Sequence, residues 1–360
     1  MSQSNPTQID ITMLVCTVNR AADLRELLQT ALVQETDGEF SFEVLVVDNN
    51  STDDTRAVVK EFIDQGYANL RYAFEGKPGK SHALLHGLEI ARGWSYVITD
   101  DDFILPKDWL KKIIAAFKSH PDVPVISGKV LPLWQGEPPA WLTPEHWSAI
   151  AMADYGDAPF YADEKNQICL LACAFRLADV KAVGGYRPEL GVSQKAIGGT
   201  EDLDILSRLW KAGRRAFYDP TIYFYHKVPS TRLTKAYHRR WHTEHGYHYA
   251  LMRQEEFEDA GARLFDVPAH QYRQALQNLA QWFGKMLRGR RDAAFLHETR
   301  LRFFWGFFRQ RRTEYKENTS HNIFSETSRF LRAVAKKKAP ANSLTQTPPL
   351  VANESTREEI

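Results

Sequence analysis

Segments with strand-like and helix-like patterns alternate through the first hundred residues. Residues 11–18 form an uninterrupted apolar run, which predicts a buried strand. Leucines between positions 24 and 32 then recur at helical spacing. Because such alternation favours βαβ units, the chain is expected to fold as α/β, with a doubly wound, mostly parallel sheet flanked by helices. The strands and helices predicted next lie at 42–48, 55–65, 70–74, 81–92 and 94–102.

The second half of the chain is less regular. A helix is predicted over 105–117, a strand over 126–134 and a buried strand over 169–176. A helix over 202–212 is closed by Gly213, and residues 214–227 have a strand-turn-strand pattern. Beyond about residue 237 the pattern is helical and aromatic. The expected regions are an N-terminal tail (1–10), a catalytic domain (11–249), a helical basic and aromatic extension (250–335) and a disordered tail (336–360).

Three adjacent carboxylates, Asp100, Asp101 and Asp102, end the predicted strand at 94–102. Their mutual repulsion is normally offset by a cation, and oxygen ligands suit Mg²⁺ or Mn²⁺. Side chains alternate along a strand, so Asp100 and Asp102 are expected on one side and Asp101 on the other. A solvated acidic loop or a helix N-cap ahead of Pro106 is the alternative.

A second acidic pair, Glu201 and Asp202, follows two glycines at the predicted start of a helix. The glycines permit close backbone approach, and a carboxylate placed there could act as a general base. Transfer of a sugar requires such a base together with a metal or cationic clamp on the leaving diphosphate. The alternative is ordinary negative charge at a helix N-terminus, which the helix dipole favours.

Taken in order, these motifs resemble the inverting family 2 glycosyltransferases of GT-A fold. The resemblance covers roughly residues 13–249 and is carried by LVCTVNRAADL, VLVVDNNSTDDT, YVITDDDFILPKDWL, AVGGYRPELG, GGTEDLDILSRLWKAG and YFYHKVPSTRLTKAYHRRWHTEHG. It implies an inverting transfer from a nucleoside-diphosphate sugar to a saccharide or lipid-linked acceptor, in cell-surface polysaccharide or glycan synthesis. Two other classes stay open: a sugar-phosphate nucleotidyltransferase, and a noncatalytic saccharide-binding or scaffold protein.

The resemblance also implies a nucleotide-sugar site at the strand ends. Asp48 would bind the base, with Thr17 and Asn19 lining the same pocket and Arg20 assisting. Lys80 would lie near the nucleotide or its phosphates, or would be a solvated loop lysine.

The acidic run receives its roles from the same resemblance. Asp100 would lie near the ribose, Asp101 would complete the nucleotide-sugar-binding run in a structural position, and Asp102 would bind the Mn²⁺ or Mg²⁺. His226 would be a further metal or diphosphate ligand, although a lone histidine is more often structural.

The catalytic base would be Asp202, with Glu201 orienting the acceptor or holding the loop and Asp204 as second choice. Three cations, Lys227, Arg232 and Lys235, would clamp the leaving diphosphate from a mobile lid.

Composition restricts the setting. The formal net charge of +1 argues against a polyanion binder, and nucleic acid is not expected as a partner. Three cysteines without paired spacing indicate neither a disulfide framework nor structural zinc. Neither a signal peptide nor a spanning apolar run is visible, so a cytoplasmic protein is expected.

Residues 285–312 carry nine Lys/Arg and two acids, interleaved with a cluster of large aromatic side chains over 303–308. This composition suits peripheral contact with the inner face of the membrane, which would bring the site to a lipid-linked acceptor. Alternatively, the aromatic residues pack on the catalytic domain or on a second subunit. The aromatic side chains are Phe303, Phe304, Trp305, Phe307 and Phe308.

Overall fold

A computed structural model describes residues 9–165, 173–192, 197–253 and 262–318, together with residue 327. The strands are β1 Ile11–Thr17, β2 Phe42–Asp48, β3 Leu70–Phe74, β4 Ser95–Asp100, β5 Phe103–Ile104, β6 Val125–Gln135, β7 Phe160–Ala162, β8 Ala174–Arg176, β9 Ala216–Pro229, β10 Arg263–Leu264 and β11 Val267–Pro268. The α-helices are α1 Ala21–Ala31, α2 Thr55–Asp64, α3 Lys80–Ile90, α4 Trp109–Ser119, α5 Leu177–Ala182, α6 Glu201–Lys211, α7 Lys235–Met252, α8 Ala269–Leu287 and α9 Arg291–Asn318. Short 3₁₀ helices occupy Pro144–Ile150, Pro188–Leu190 and Ser230–Leu233.

One large sheet organises the fold, with strand order β3-β2-β1-β4-β8-β6-β9-β5 and β7 beside β9. Strand β1 pairs in parallel with β2 and β4, β2 with β3, and β6 with β9. Strand β8 lies antiparallel between β4 and β6. The mostly parallel sheet flanked by helices and the helical C-terminal region are therefore confirmed.

Apolar side chains cover both faces of the sheet. Because side chains alternate along β1, Met13 joins the core formed with α1, α2 and α4, whereas Leu14 joins the core formed with α3, α5 and α6. The continuous apolar run that predicted β1 is thus the sign of a strand buried on both faces.

Strand β9 is long and irregular. Its first arm pairs with β6 up to Tyr218, opposite Ser127, and its second arm resumes at Tyr223, opposite Lys129. Asp219 turns the intervening segment by accepting hydrogen bonds from the amide and hydroxyl of Thr221. The strand-turn-strand prediction is correct in outline, but both arms lie parallel to the same neighbour.

Helices α7 and α9 pack closely. A Cβ on Gly246 would lie 2.0 Å from the Phe303 carbonyl oxygen, and one on Gly306 would lie 1.9 Å from the Thr243 carbonyl oxygen, so only glycine permits this approach. Phe307 is buried in the same contact. Packing on the body of the protein, the second alternative for the aromatic helix, therefore accounts for most of its aromatic residues.

Some expectations fall on residues outside the described part of the chain. Of the strand predicted over 169–176, the structure describes only the end, as β8, and residues 169–172 lie outside it. The tail predicted over 336–360 and residues 1–8 also lie outside. Among the described residues, no helix combines the length and the apolar character needed to cross a membrane.

Candidate active site

A cavity of about 470 Å³ opens where β1 and β4 end. Most of the side chains predicted for the site line it, whereas Asn19, Asp48 and Glu201 do not. The predicted residues that line the cavity are Thr17, Arg20, Lys80, Asp100, Asp101, Asp102, Asp202, His226 and Arg232.

Asp101 is held from β1. Its Oδ2 accepts a 2.7 Å hydrogen bond from the Thr17 hydroxyl, and its Oδ1 lies 3.2 Å from Arg20 Nε. Burial raises the pKa of Asp101 to about 7, against the opposing charge of Arg20. The Asp101 carboxyl group thus connects the end of β1 to the turn that follows β4.

Asp102 is surrounded by cationic groups. Its Oδ2 lies 3.2 Å from Arg20 Nη1, 3.2 Å from Arg232 Nη2 and 3.4 Å from His226 Nε2. Burial alone would raise its pKa, but the His226 hydrogen bond and the charges of His226, Arg232 and Arg20 outweigh burial and lower the pKa. Asp102 is therefore an anion at neutral pH.

The expected alternation of the three aspartates is wrong. Strand β4 ends at Asp100, and Asp101 and Asp102 occupy a turn, so the two-residue period of a strand does not apply to them. Consequently Asp101 and Asp102 both reach Arg20, whereas Asp100 turns to Lys80.

Lys80 joins the acidic run to the second acidic pair. Its ammonium nitrogen lies 2.9 Å from Asp100 Oδ1 and 3.8 Å from Glu201 Oε1. Burial opposes its charge, but Asp100 and Glu201 outweigh that effect and raise the pKa of Lys80 well above its usual value. The solvated-loop alternative for this lysine does not fit the structure.

Asp202 faces the cavity from the first turn of α6. Its Oδ1 is buried and has no hydrogen-bond partner within the described residues. Burial, reinforced by the nearby charge of Glu201, raises its pKa to about 7. A carboxylate with a free lone pair and a pKa near neutrality has the properties of a general base.

The preceding glycines bring α6 and α7 together. A Cβ on Gly198 would lie 2.4 Å from the His245 amide nitrogen, and one on Gly199 would lie 2.3 Å from Glu201 Oε2. The close backbone approach expected of the glycine pair is present, and it fixes the start of α6.

Other charged side chains that were predicted for the site are bound elsewhere. Asp204, the alternative base, pairs with Arg187 and Arg208 at 3.3 and 2.5 Å. Lys227 contacts Asp23 and Glu26. The structure therefore does not bring Asp204 or Lys227 to the reacting centre.

Lys235 also points away from the cavity, because its ammonium lies 2.7 Å from Asp292 Oδ1. Of the three predicted clamp cations, only Arg232 reaches the acidic run.

Comparison with known proteins assigns this arrangement to a family. The family model described as glycosyl transferase family 2 matches residues 12–159, which include both strand-end motifs. Residues 12–159 match this family, and the chain is a glycosyltransferase of the family 2 type. Glucosyl-dolichyl phosphate glucuronosyltransferase from Haloferax volcanii is 21% identical over 221 residues, or 61% of this chain and 69% of that protein. Glycosyltransferase AglE from the same organism is 27% identical over 121 residues, or 33% and 39% of the two chains.

A solved structure extends the likeness beyond the matched region. The mannosyltransferase PcManGT from Pyrobaculum calidifontis, in complex with GDP-Man and Mn²⁺, superposes with a TM-score of 0.52 at 20% identity. The alignment covers 92% of this chain and 82% of that one. This family 2 glycosyltransferase therefore has the GT-A fold.

The side chains in the cavity that could hold a divalent metal are Asp102 and His226. Within the described ranges no three His, Cys, Asp or Glu side chains are grouped to hold an ion by themselves. One ionised carboxylate beside one imidazole nevertheless fits Mn²⁺ or Mg²⁺ that also binds diphosphate oxygens and water. Arg20 and Arg232 are about one-third and one-quarter exposed, so both have room to turn from Asp102 to an incoming diphosphate.

Asp48 and Asn19 organise the loop after β2. Asp48 accepts hydrogen bonds of 2.8 Å from the Tyr72 hydroxyl and from the Ser51 amide. Asn19, at a positive φ of 53°, accepts from the Thr52 amide at 2.7 Å. In this family 2 glycosyltransferase both residues therefore shape the wall next to the cavity.

Asn49 is a cavity residue that the sequence interpretation missed. Its side-chain amide donates to the carbonyls of Glu75 and Lys77 and accepts from the Gly79 amide. It thereby ties the loop before α3, and with it Lys80, to the end of β2. The available signal was an asparagine directly after the strand-ending aspartate.

Proposed function

We propose that this family 2 glycosyltransferase transfers a sugar, with inversion, from a nucleoside-diphosphate sugar to a hydroxyl group of a saccharide or lipid-linked acceptor. The observation that carries the proposal is Asp202, which lines the same cavity as Asp100, Asp101 and Asp102 and whose Oδ1 is buried without a hydrogen-bond partner among the described residues. An acid–base group and a phosphate-binding group thus share one enclosed space.

Donor binding is assigned to the ends of β1, β2 and β4. Asp48, Thr17 and Asn19 would form the wall for the base, and Asp100 would lie next to the ribose. The complex of the PcManGT mannosyltransferase with GDP-Man supports a sugar-nucleotide donor at this edge of the sheet.

Asp102 and His226 would hold Mn²⁺ or Mg²⁺, which when bound would offset the negative charge of the diphosphate. Arg20 and Arg232 lie beside the same carboxylate and would add positive charge around the leaving group. The Mn²⁺ in the PcManGT complex supports this choice of ion.

The reaction is a single in-line displacement. Asp202 takes the proton of the acceptor hydroxyl as its oxygen bonds to the anomeric carbon, and the bond from that carbon to the diphosphate oxygen breaks on the opposite face. The nucleoside diphosphate leaves with the bonding electron pair. Lys80 keeps Asp100 and Glu201 in place and so orients the start of α6.

A relative supports part of the proposed biological setting. One of them is named for transfer involving a glucosyl-dolichyl phosphate, which supports a lipid-linked acceptor. We place the reaction in the cytoplasm at the inner face of the membrane, in cell-surface polysaccharide or glycan synthesis. Residues 11–249 would form the catalytic domain and 250–335 the extension that contacts the membrane.

The test is incubation with a panel of UDP- and GDP-sugars, Mn²⁺, and oligosaccharide or short polyprenyl-phosphate acceptors, followed by mass spectrometry and proton NMR. Acceptor-dependent release of a nucleoside diphosphate and a product with inverted anomeric configuration support the proposal. Pyrophosphate release would instead indicate nucleotidyl transfer. Donor binding without any product would indicate a noncatalytic saccharide-binding protein, and a retained configuration would exclude the in-line step.

A further inference from the structure

Helix α8 presents its apolar side to solvent. Four large apolar side chains recur at helical spacing along that side. They are Leu276 (65% exposed), Leu279 (46%), Phe283 (56%) and Leu287 (73%). A contiguous stripe of this kind is unusual on a folded surface and marks a site of interaction.

A different side of α8 packs against the protein, and polar side chains make part of that contact. Gln271 is 2% exposed, and the Asn278 side chain bonds to His297 Nδ1 at 3.0 Å and to the Gln274 carbonyl at 2.9 Å. Turning the helix to bury its leucines would break these contacts. The outward apolar stripe is therefore fixed by the packing of the inner face.

Charge around the stripe has a single sign. Between positions 267 and 291 the sequence contains five Lys/Arg and no Asp or Glu. In the described part of the chain none of these cations forms an ion pair with a carboxylate. The five are Arg273, Lys285, Arg288, Arg290 and Arg291.

We propose that the outer face of α8 lies in the headgroup region of an anionic phospholipid membrane. An apolar stripe flanked by unpaired cations matches a layer that offers acyl chains beside negative phosphates. A second copy of the chain is disfavoured as occupant, because two such faces would bring ten cations together without a counter-charge. The proposal locates the membrane contact included in the proposed function, but it does not depend on the transfer chemistry.

We do not assign the membrane contact to the aromatic helix α9. Phe304 and Phe307 on α9 are 7% and 1% exposed, so the side chains that suggested lipid contact are mostly buried. Trp305, at 63% exposed, is the exception on that helix. The apolar surface that is left for lipid lies on the preceding helix.

The test is sedimentation of the purified full chain with vesicles of phosphatidylcholine alone or with 30% phosphatidylglycerol. We expect binding to the anionic vesicles, weakened at least tenfold by the triple substitution Leu276→Gln, Leu279→Gln and Phe283→Gln. The matched control, Val33→Gln with Ile63→Gln, removes exposed apolar side chains from the turn after α1 and from α2 and should bind as wild type.

A second variant isolates the electrostatic part. Replacing Arg288, Arg290 and Arg291 by glutamine should weaken binding at least tenfold on anionic vesicles, with a smaller salt dependence. Equal binding by wild type and the apolar variant, or no binding by wild type, would overturn the proposal. Concentration-dependent dimerisation lost in the apolar variant would assign the face to a second copy. Transfer to a soluble acceptor, measured on the same variants, should be unchanged and reports separately on the proposed function.

Discussion

The Lys80 ammonium lies 2.9 Å from the Asp100 carboxylate, on the cavity wall between the acidic run and α6. The same nitrogen is 3.8 Å from Glu201, the residue next to the proposed base. Because one cation stabilises the charges of both acids, a substitution at Lys80 should change the electrostatics around Asp100 and around Glu201.

Lys80→Met should make Asp202 harder to ionise. Burial and the Glu201 charge raise the pKa of Asp202 to about 7, and the Lys80 charge lowers it. Without that charge the base stays protonated to higher pH, so the acidic limb of the kcat/KM profile should move upward by about one pH unit. Lys80→Arg should largely retain the profile, and an unmoved limb in the methionine variant would contradict the coupling.

Asp102→Asn should abolish metal-dependent donor binding. The substitution removes a carboxylate whose pKa the neighbouring basic groups lower, so that it is ionised at neutral pH. It also leaves Arg20 and Arg232 without the anion that both contact. Calorimetry with the sugar nucleotide, with and without Mn²⁺, should show at least a tenfold loss that appears only with the metal. Asp108→Asn, an exposed aspartate paired with Lys112, is the control. Mn²⁺ enhancement that survives in Asp102→Asn would remove this residue from the metal site.

The crossing of α7 and α9 should not tolerate a methyl group. Gly246→Ala would place its Cβ 2.0 Å from a backbone carbonyl oxygen, and we expect a loss of about 3 kcal/mol in unfolding free energy. Gly284→Ala has nothing within 4 Å and should gain up to about 1 kcal/mol from helix propensity. Thermal unfolding of the two variants distinguishes them, and a Gly246→Ala protein as stable as wild type would show that the two helices do not cross as described.

Part of this architecture was accessible from the sequence. The apolar run at β1 and the acid at the end of β4 have local signatures, because a strand buried on both faces reads as continuous apolar sequence. The approach of His226 to Asp102, by contrast, has no local signature in the sequence. It follows from the antiparallel pairing of Phe103 with His226, together with the hydrogen bond from the Lys227 amide to the Asp102 carbonyl.

One error in the prediction and one alternative that it left open have physical causes. The alternation expected of Asp101 and Asp102 required the strand to continue, and one turn cancelled it. From the sequence alone, the aromatic residues of α9 could face either lipid or protein. In the structure, Gly306 lies against the Thr243 carbonyl, so α9 packs on α7. A local turn decided the first case, and a tertiary contact, which no local pattern encodes, decided the second.

Acid should destabilise the junction between α7 and the 3₁₀ helix Pro144–Ile150. Burial, helped by the nearby charge of His146, lowers the pKa of His238 to about 4, and neither ring nitrogen of His238 has a hydrogen-bond partner among the described residues. The unfolded chain takes up a proton near pH 6.5, whereas the folded chain resists until about pH 4.

The contribution of neutral His238 to the free energy of unfolding is therefore fully present above about pH 6.5, and it decreases as the pH falls toward 4. The loss should be on the order of 3 kcal/mol. Melting temperatures at pH 7, 6 and 5 should fall less steeply for His238→Leu than for wild type, and equal slopes would exclude this histidine as the cause.

The most direct test of Asp202 as the general base is single-turnover transfer by Asp202→Asn, measured together with donor affinity. Asparagine keeps the size of the side chain but cannot accept the acceptor proton, so the transfer rate should fall by about 10³-fold or more, while the donor Kd changes less than about threefold. A rate within about tenfold of wild type, at unchanged donor affinity, would show that Asp202 is not the base.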